Sequence, residues 1–489
     1  MAPFIFSHHN FIVPFLHHYP LLIMDQTPHI VILPTPGMGH LIPLAELATR
    51  LVHRHGFTAT FITYAESASK AQTAYLASLP PSVASLSLPP VDLADLSPTA
   101  CIETRICVTA ARSVPALARL LRDLKDGRHV VAFVADLFGG DSLVAAREVG
   151  VPAYVFFPSN LLTLSVILHL PALDAAVSCE FRVLPEPLKL PGCVPIPGSE
   201  LISPIQDRKD DAYRWVVNLA RKYREAEGIL VNTFDEIEPE ASEVLKKVQA
   251  GRPPVYTVGP LIHTGGASST DASGCLSWLD KQPRSSVLFV SFGSGGTLST
   301  EQTRELALGL ECSGQRFIWV VRSPSDQKAD ANFFNAQSAT DSFEFLPEGF
   351  TERTRDVGLV VSSWAPQIEI LKHESTGGFL THCGWNSTLE SVVYGVPMIA
   401  WPLYAEQKQN AVMLVEGTKI ALRAKAGADG VVRKDAISRT VRELMEGEEG
   451  KAVRHKVKEL QAAGAKALAE DGKSSKALAE IANKWEGML

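Results

Sequence analysis

The sequence predicts an α/β protein built on two parallel sheets, and three observations carry that reading. Short, largely apolar strands such as His29-Ile30-Val31-Ile32-Leu33 and Ser286-Val287-Leu288-Phe289-Val290-Ser291-Phe292 suit strands buried on both faces of a parallel sheet. They alternate with helical patterns throughout, as in repeated βα units. The chain has 489 residues, too many for one core, which suggests two domains of roughly 200 to 250 residues each.

In chain order, the strand 29–33 ends in Pro34-Thr35-Pro36-Gly37-Met38-Gly39-His40, and a helix is expected from about Leu41 to His53. A second strand, 58–64, completes a βαβ unit. Pro-rich loops at Leu79-Pro80-Pro81 and Leu88-Pro89-Pro90 precede a helix from about Ala100 to Leu124. The strand 130–135 stops at Asp136, a helix spans Ser142 to Val149, and a strand follows at 153–157. Residues 179–204 are Pro-rich and irregular, which suits a surface segment lining a pocket. A helix from Asp210 to Ala226 then leads to the strand 228–232.

Between Gly251 and Gly274 the composition shifts to Gly, Ser, Thr and Pro, the mark of an interdomain linker. The second βα series begins at Ser286, with Ser299 placed to cap a helix from Thr300. Strands follow at 317–321 and 359–361, and charged amphipathic helices close the chain from about Lys434 to Trp485. The expected division is 1–24 as a disordered extension, 25–255 and 275–470 as the two domains, 256–274 as linker, and 471–489 as a C-terminal helix.

The stretch Trp364 to Gln407, WAPQIEILKHESTGGFLTHCGWNSTLESVVYGVPMIAWPLYAEQ, concentrates the chemistry. A short strand runs through His382-Cys383-Gly384-Trp385-Asn386-Ser387 into a helix start. Unpaired N–H groups and the helix dipole make such a turn a ready anion site. His382, Asn386 and Ser387 add donors, Glu390 can accept from a sugar hydroxyl, and Trp364 and Trp385 offer flat faces. The grouping points to a nucleotide sugar. The Gly293-Ser294-Gly295-Gly296 turn suits a phosphate, but lacks the hydrolase elbow and the P-loop lysine. Glu406-Gln407 can chelate adjacent sugar hydroxyls.

His40 sits where a strand gives way to a helix, facing the crevice in which α/β sheets bind ligands. Asp136 ends a neighbouring strand on the same edge and could hold the imidazole as a base, or merely cap its own turn. Gly37-Met38-Gly39-His40 does not complete a dinucleotide fingerprint, because Ile42 stands where the third glycine belongs and Glu66 is loosely placed. An NAD(P)-dependent oxidoreductase therefore remains only a distant alternative. The net charge of −7 argues against nucleic acid. Seven cysteines without a CxxC pair point to a reducing cytoplasm, with neither disulfide framework nor zinc site. No uninterrupted apolar run of about 20 residues suggests stable membrane insertion.

Trp364 to Gln407 resembles the signature box of plant family-1 UDP-glycosyltransferases, with tryptophan at its start, HCGWNS in its middle and an acidic residue plus Gln at its end. The resemblance extends from Pro28 onward. The stretches 34–43, 136–139, 190–195 and 291–297 look most like the hydroquinone-glucosylating branch. It implies a GT-B fold, two facing Rossmann-like domains with the acceptor on the first and the donor on the second. By matching positions, Trp364 would stack on uracil beside Ala365 and Gln367, and Glu390 would hold the ribose. His382, Asn386, Ser387 and Ser294 would hold the diphosphate, and Trp385, Glu406 and Gln407 the hexose. Glu406 departs from the commoner Asp. His40, Glu103, Phe138 and Ala405 would lie near the acceptor. The expected activity is an inverting, metal-independent O-glucosylation of hydroquinone-type small phenols by UDP-glucose, without a cofactor, in a cytoplasmic monomer. A flavonoid or monolignol glucosyltransferase is the alternative within the family. A catalytically silent sugar-nucleotide-binding protein is the alternative outside it.

Overall fold

The computed structural model of the protein describes residues 26–65, 69–263, 271, 273–327 and 343–487. The expected N-terminal extension, Glu66 and the glycine-rich centre of the linker lie outside the described residues.

Seven strands form the first sheet: β1 His29–Leu33, β2 Thr58–Tyr64, β3 Val83–Leu88, β4 Val130–Asp136, β5 Ala153–Phe157, β6 Gly228–Val231 and β7 Val255–Thr257. Their order is β3-β2-β1-β4-β5-β6-β7, with parallel pairing throughout. Six strands form the second: β8 Val287–Ser291, β9 Arg316–Val321, β10 Gly358–Ser362, β11 Thr376–Thr381, β12 Met398–Ala400 and β13 Ala421–Leu422. Their order is β10-β9-β8-β11-β12-β13, again parallel. The two Rossmann-like sheets give the α/β, GT-B architecture. β3 and β7 replace what reads as loop in the sequence, and β7 carries the first sheet to Thr257. The expected helix 142–149 begins as a 3-10 turn at Gly139–Ser142 and becomes α-helical only over Leu143–Glu148.

Each sheet has one place where strand order reverses, which opens a crevice at the strands' carboxyl ends. In the first it lies between β1 and β4, whose ends Leu33 and Ala135 are in register. In the second it lies between β8 and β11, where Ser291 pairs with Thr381. The residues singled out in the sequence follow those ends directly.

One apolar cluster runs through both halves, from Val155 and Phe157 of β5 through Trp385 and Leu389 to Phe289 of β8 and Phe379 of β11. A core shared in this way limits independent motion of the halves. The helix Lys473–Glu486 packs on the first half, with Trp485 fully buried edge-on against Phe57 and Tyr154 at centroid distances of 6.1 and 5.2 Å. Among the described residues no helix is long and apolar enough to cross a membrane, and all seven cysteines are free thiols. Trp485→Ala should cost about 3–5 kcal/mol through the cavity it leaves. Chemical denaturation monitored by circular dichroism should show the midpoint falling, and an unchanged midpoint would remove this anchor.

Candidate functional site

β1 delivers the first group. Gly37, at φ 121, precedes the helix Met38–His55, which places His40 in its first turn. Asp136, at the end of β4, is buried, and one of its oxygens lies 2.7 Å from His40 Nδ1. The same oxygen accepts from the Thr35 N–H at 2.9 Å, and its other oxygen accepts from the Leu137 N–H at 2.7 Å. Three partners, the His40 ring and two backbone N–H groups, fix the direction of this carboxyl group. With Nδ1 turned to the carboxylate, Nε2 is the nitrogen left to take a proton. Burial alone would lower the His40 pKa. The charge and hydrogen bonding of Asp136, with a further contribution from Glu406, overcome it and raise the pKa above that of a free imidazole.

The second group follows β11. His382 is buried, its ring wedged between two glycines; a Cβ added at Gly293 or Gly384 would fall 2.5 or 2.4 Å from it. Burial, reinforced by the Arg322 charge, pushes its pKa down to about 4. It is therefore neutral at pH 7 and meets an anion as a dipole. Gly384 caps the helix Trp385–Tyr394, whose first N–H groups have no partner within the helix. The exposed Ser294 sits in the turn after β8, next to Gly293. Ser387 Oγ accepts from Gln367 Nε2 at 2.9 Å, and the same amide donates to Glu390 at 2.6 Å. Burial raises the Glu390 carboxyl to about 7.

Backbone strain marks the same residues. Among the described residues five non-glycine positions have positive φ, and three border this site: Ser363 at 63°, Cys383 at 65° and Ala405 at 54°. Each stands immediately before a turn that carries a candidate ligand-binding residue. Such conformations cost on the order of 1–3 kcal/mol and persist where the surroundings enforce them. Beyond Ser363, Trp364 leaves 71% of its surface open to solvent, while Ala365 is buried. Beyond Ala405, Glu406 starts the helix Gln407–Val412, and burial raises its carboxyl pKa. Gln407 uses its amide oxygen to accept from the N–H groups of Leu403 and Tyr404 at 2.9 and 3.0 Å.

The two groups face each other. Asn386 Nδ2 donates to the Gly39 carbonyl at 2.6 Å, tying the anion turn to the residue before His40. The Phe138 ring lies 6.5 Å from the His40 ring. Glu103 lies half-buried in the first turn of the helix Ile102–Gly127. The Ala405 carbonyl accepts from the Ser203 N–H at 2.8 Å.

Trp385 departs from expectation. Its indole is 3% exposed and donates to the Asn232 carbonyl at 2.6 Å, so no ring face is open to a sugar. Only its backbone N–H, at the helix start, can serve a ligand. Arg322, unremarked in the sequence, donates to the carbonyls of Gly293 and Ser363 and so joins the two donor-side turns. Its position directly after the apolar run of β9, on the same carboxyl edge, was the available signal.

Comparison with known proteins identifies the chain's relatives. A family described as "UDP-glucoronosyl and UDP-glucosyl transferase" matches residues 256–451. UDP-glycosyltransferase 72B1 of Arabidopsis thaliana is 57% identical, over 94% of this chain and 97% of that protein. A hydroquinone glucosyltransferase of Rauvolfia serpentina is 55% identical, over 95% of this chain and 99% of that protein. Among solved structures, Phytolacca americana UGT2 complexed with UDP-2fluoro-glucose and pterostilbene is 50% identical with a TM-score of 0.86, covering 94% of this chain and 99% of its own.

The glycine wedge gives a test with UDP as the probe. Gly293→Ala would meet both the His382 ring and a φ of 72°. Gly251→Ala, at φ 75° with open space around it, carries only the backbone strain. The first should weaken UDP binding by about tenfold, the equivalent of about 1.4 kcal/mol, and the second should leave calorimetric affinity unchanged.

Proposed function

From the premise that this chain belongs to the UDP-glycosyltransferase family, we propose that it transfers glucose from UDP-glucose to a phenolic hydroxyl with inversion at the anomeric carbon. Transfer from a UDP-sugar to a small-molecule acceptor is the family's activity, with the UDP-sugar as donor and no separate cofactor. Membership leaves no place for the oxidoreductase reading. The His40–Asp136 pair, held by Asn386 against the anion turn, is the observation that carries the rest.

A phenol with a pKa near 10 is mostly protonated at neutral pH. Nε2 of His40 takes that proton as the phenolic oxygen attacks the anomeric carbon, and the bond from that carbon to the diphosphate oxygen breaks. Asp136 stabilises the imidazolium that forms. UDP departs as an anion, received by the N–H groups at the start of the Trp385–Tyr394 helix, by Asn386, Ser387 and Ser294, and by the neutral His382. Trp364 stacks on the uracil beside Ala365 and Gln367, and Glu390 holds the ribose. Glu406, Gln407 and the Trp385 N–H hold the glucose. Base and donor site come from one chain, so a monomer suffices.

Hydroquinone-type phenols are favoured as acceptors because the Rauvolfia serpentina relative, named for hydroquinone, is 55% identical, against 42% for an anthocyanidin 3-O-glucosyltransferase of Manihot esculenta. The solved relative that holds pterostilbene supports larger phenols as the second reading. Phe138 and Glu103 are the residues proposed to discriminate among them.

Three outcomes follow. His40→Ala should lower transfer to a phenol by about 10²- to 10⁴-fold, with UDP affinity within twofold of wild type; wild-type turnover would remove the base assignment. The base must be unprotonated, so kcat/KM should rise with pH through a pKa above 6.5. In Asp136→Asn the larger raising charge is gone and Glu406 alone opposes burial, so that limb should move to lower pH as the rate falls. An unmoved limb would assign the titration to another group. Mass-spectrometric screening of hydroquinones, stilbenes and flavonoids with UDP-glucose tests the acceptor class, and absence of any phenyl glucoside would overturn it.

A further inference from the structure

A second set of contacts joins the halves behind the site, and it runs in one direction. Asn160 caps the helix Leu161–Ala176, its Oδ1 accepting from the Thr163 N–H at 2.8 Å. That use of the oxygen turns the amide nitrogen outward, where it donates to Asn410 Oδ1 at 2.7 Å. The Asn410 oxygen being taken, its nitrogen must face the other way, and it donates to the Cys383 carbonyl at 2.9 Å. The same nitrogen lies 3.4 Å from Glu406. Both asparagines are fully buried. Each amide can satisfy its partners in one orientation only, because an Asn side chain has one accepting and one donating end.

The two ends of this chain matter. At one end, the Glu238 carboxylate accepts from the N–H groups of Leu161 and Leu162 at 2.9 and 2.8 Å, fixing the helix start that carries Asn160. Gln409 adds a parallel link from its Nε2 to Thr163 Oγ1 at 3.0 Å. At the other end stands Cys383, the positive-φ residue between His382 and the anion turn.

We infer that Asn410, addressed by Asn160, is a positioning residue for glycosyl transfer that holds the Cys383 turn and Glu406 in register with the acceptor half. The inference rests on the transferase reading, but not on the choice of acceptor. Neither asparagine is placed in contact with donor or acceptor, so the consequence of losing the link is misalignment rather than lost affinity. A shift of about 1 Å between reacting groups can cost about a hundredfold in rate.

The test compares Asn160→Ser, Asn410→Ala and the double variant, using whichever acceptor a panel screen identifies for the wild type. Serine keeps a capping oxygen for the helix but lacks the amide N–H, so Asn160→Ser breaks the link with the least disturbance and stands alone if Asn410→Ala does not fold. Expected are a kcat at least tenfold lower in each single variant, a calorimetric Kd for UDP within twofold of wild type, and a double variant no slower than the worse single. Retained kcat in Asn160→Ser, equal losses in kcat and UDP affinity, or additive losses in the double variant would each overturn the assignment. A wild type that glucosylates only non-phenolic acceptors would sink the phenol reading while leaving this comparison intact.

Discussion

The buried Asp136 carboxylate is the constraint on which the first half's chemistry rests. A charge that deep is tolerated only when its oxygens are satisfied, and here two backbone N–H groups and the His40 ring do so. The Thr35 bond comes from the turn after β1, and the Leu137 bond from the turn after β4. One side chain thereby fixes both turns at the crevice where strand order reverses. The histidine inherits its direction, tautomer and raised pKa from that arrangement.

The second half solves the opposite problem, gathering donors without introducing fixed positive charge. His382 is held neutral by burial, and the remaining donors are backbone, amide and hydroxyl groups. Such a site is attractive to an anion yet carries no cation to neutralise when empty. Its cost appears in the backbone, at Ser363, Cys383 and Ala405. Arg322 is the nearby cation, and it is spent on carbonyls that hold the turns together.

Much of this was legible in the sequence because parallel strands buried on both faces are unbroken apolar runs. β1, β4, β5, β8, β9 and β11 could be read directly; Asp136 ends β4, His382 follows β11, and His40 lies just past the turn after β1. β3 could not, because Val83–Leu88 is largely exposed, has polar residues in its middle and is flanked by prolines. β7 has three residues and β13 two, too few to show a period. The wrong expectation for Trp385 has a different cause. A tryptophan in a signature turn reads as a ring face, but the partner of its N–H is a carbonyl 153 positions away. No local pattern announces such a contact, and the Asn160–Asn410 pair, 250 positions apart, is hidden for the same reason.

The placement of Trp485 bears on how the chain is made. Strands β1, β2 and β4 share their apolar cluster with Leu478, Ile481 and Trp485, which follow the whole second half in sequence. At about 5–20 residues per second, synthesis of the intervening second half takes on the order of tens of seconds. Throughout that interval Phe57 and Tyr154 lack the Trp485 ring, while the helix Met38–His55 covers the rest of that face. A newborn chain stalled short of Leu478 therefore leaves that patch of its first half exposed.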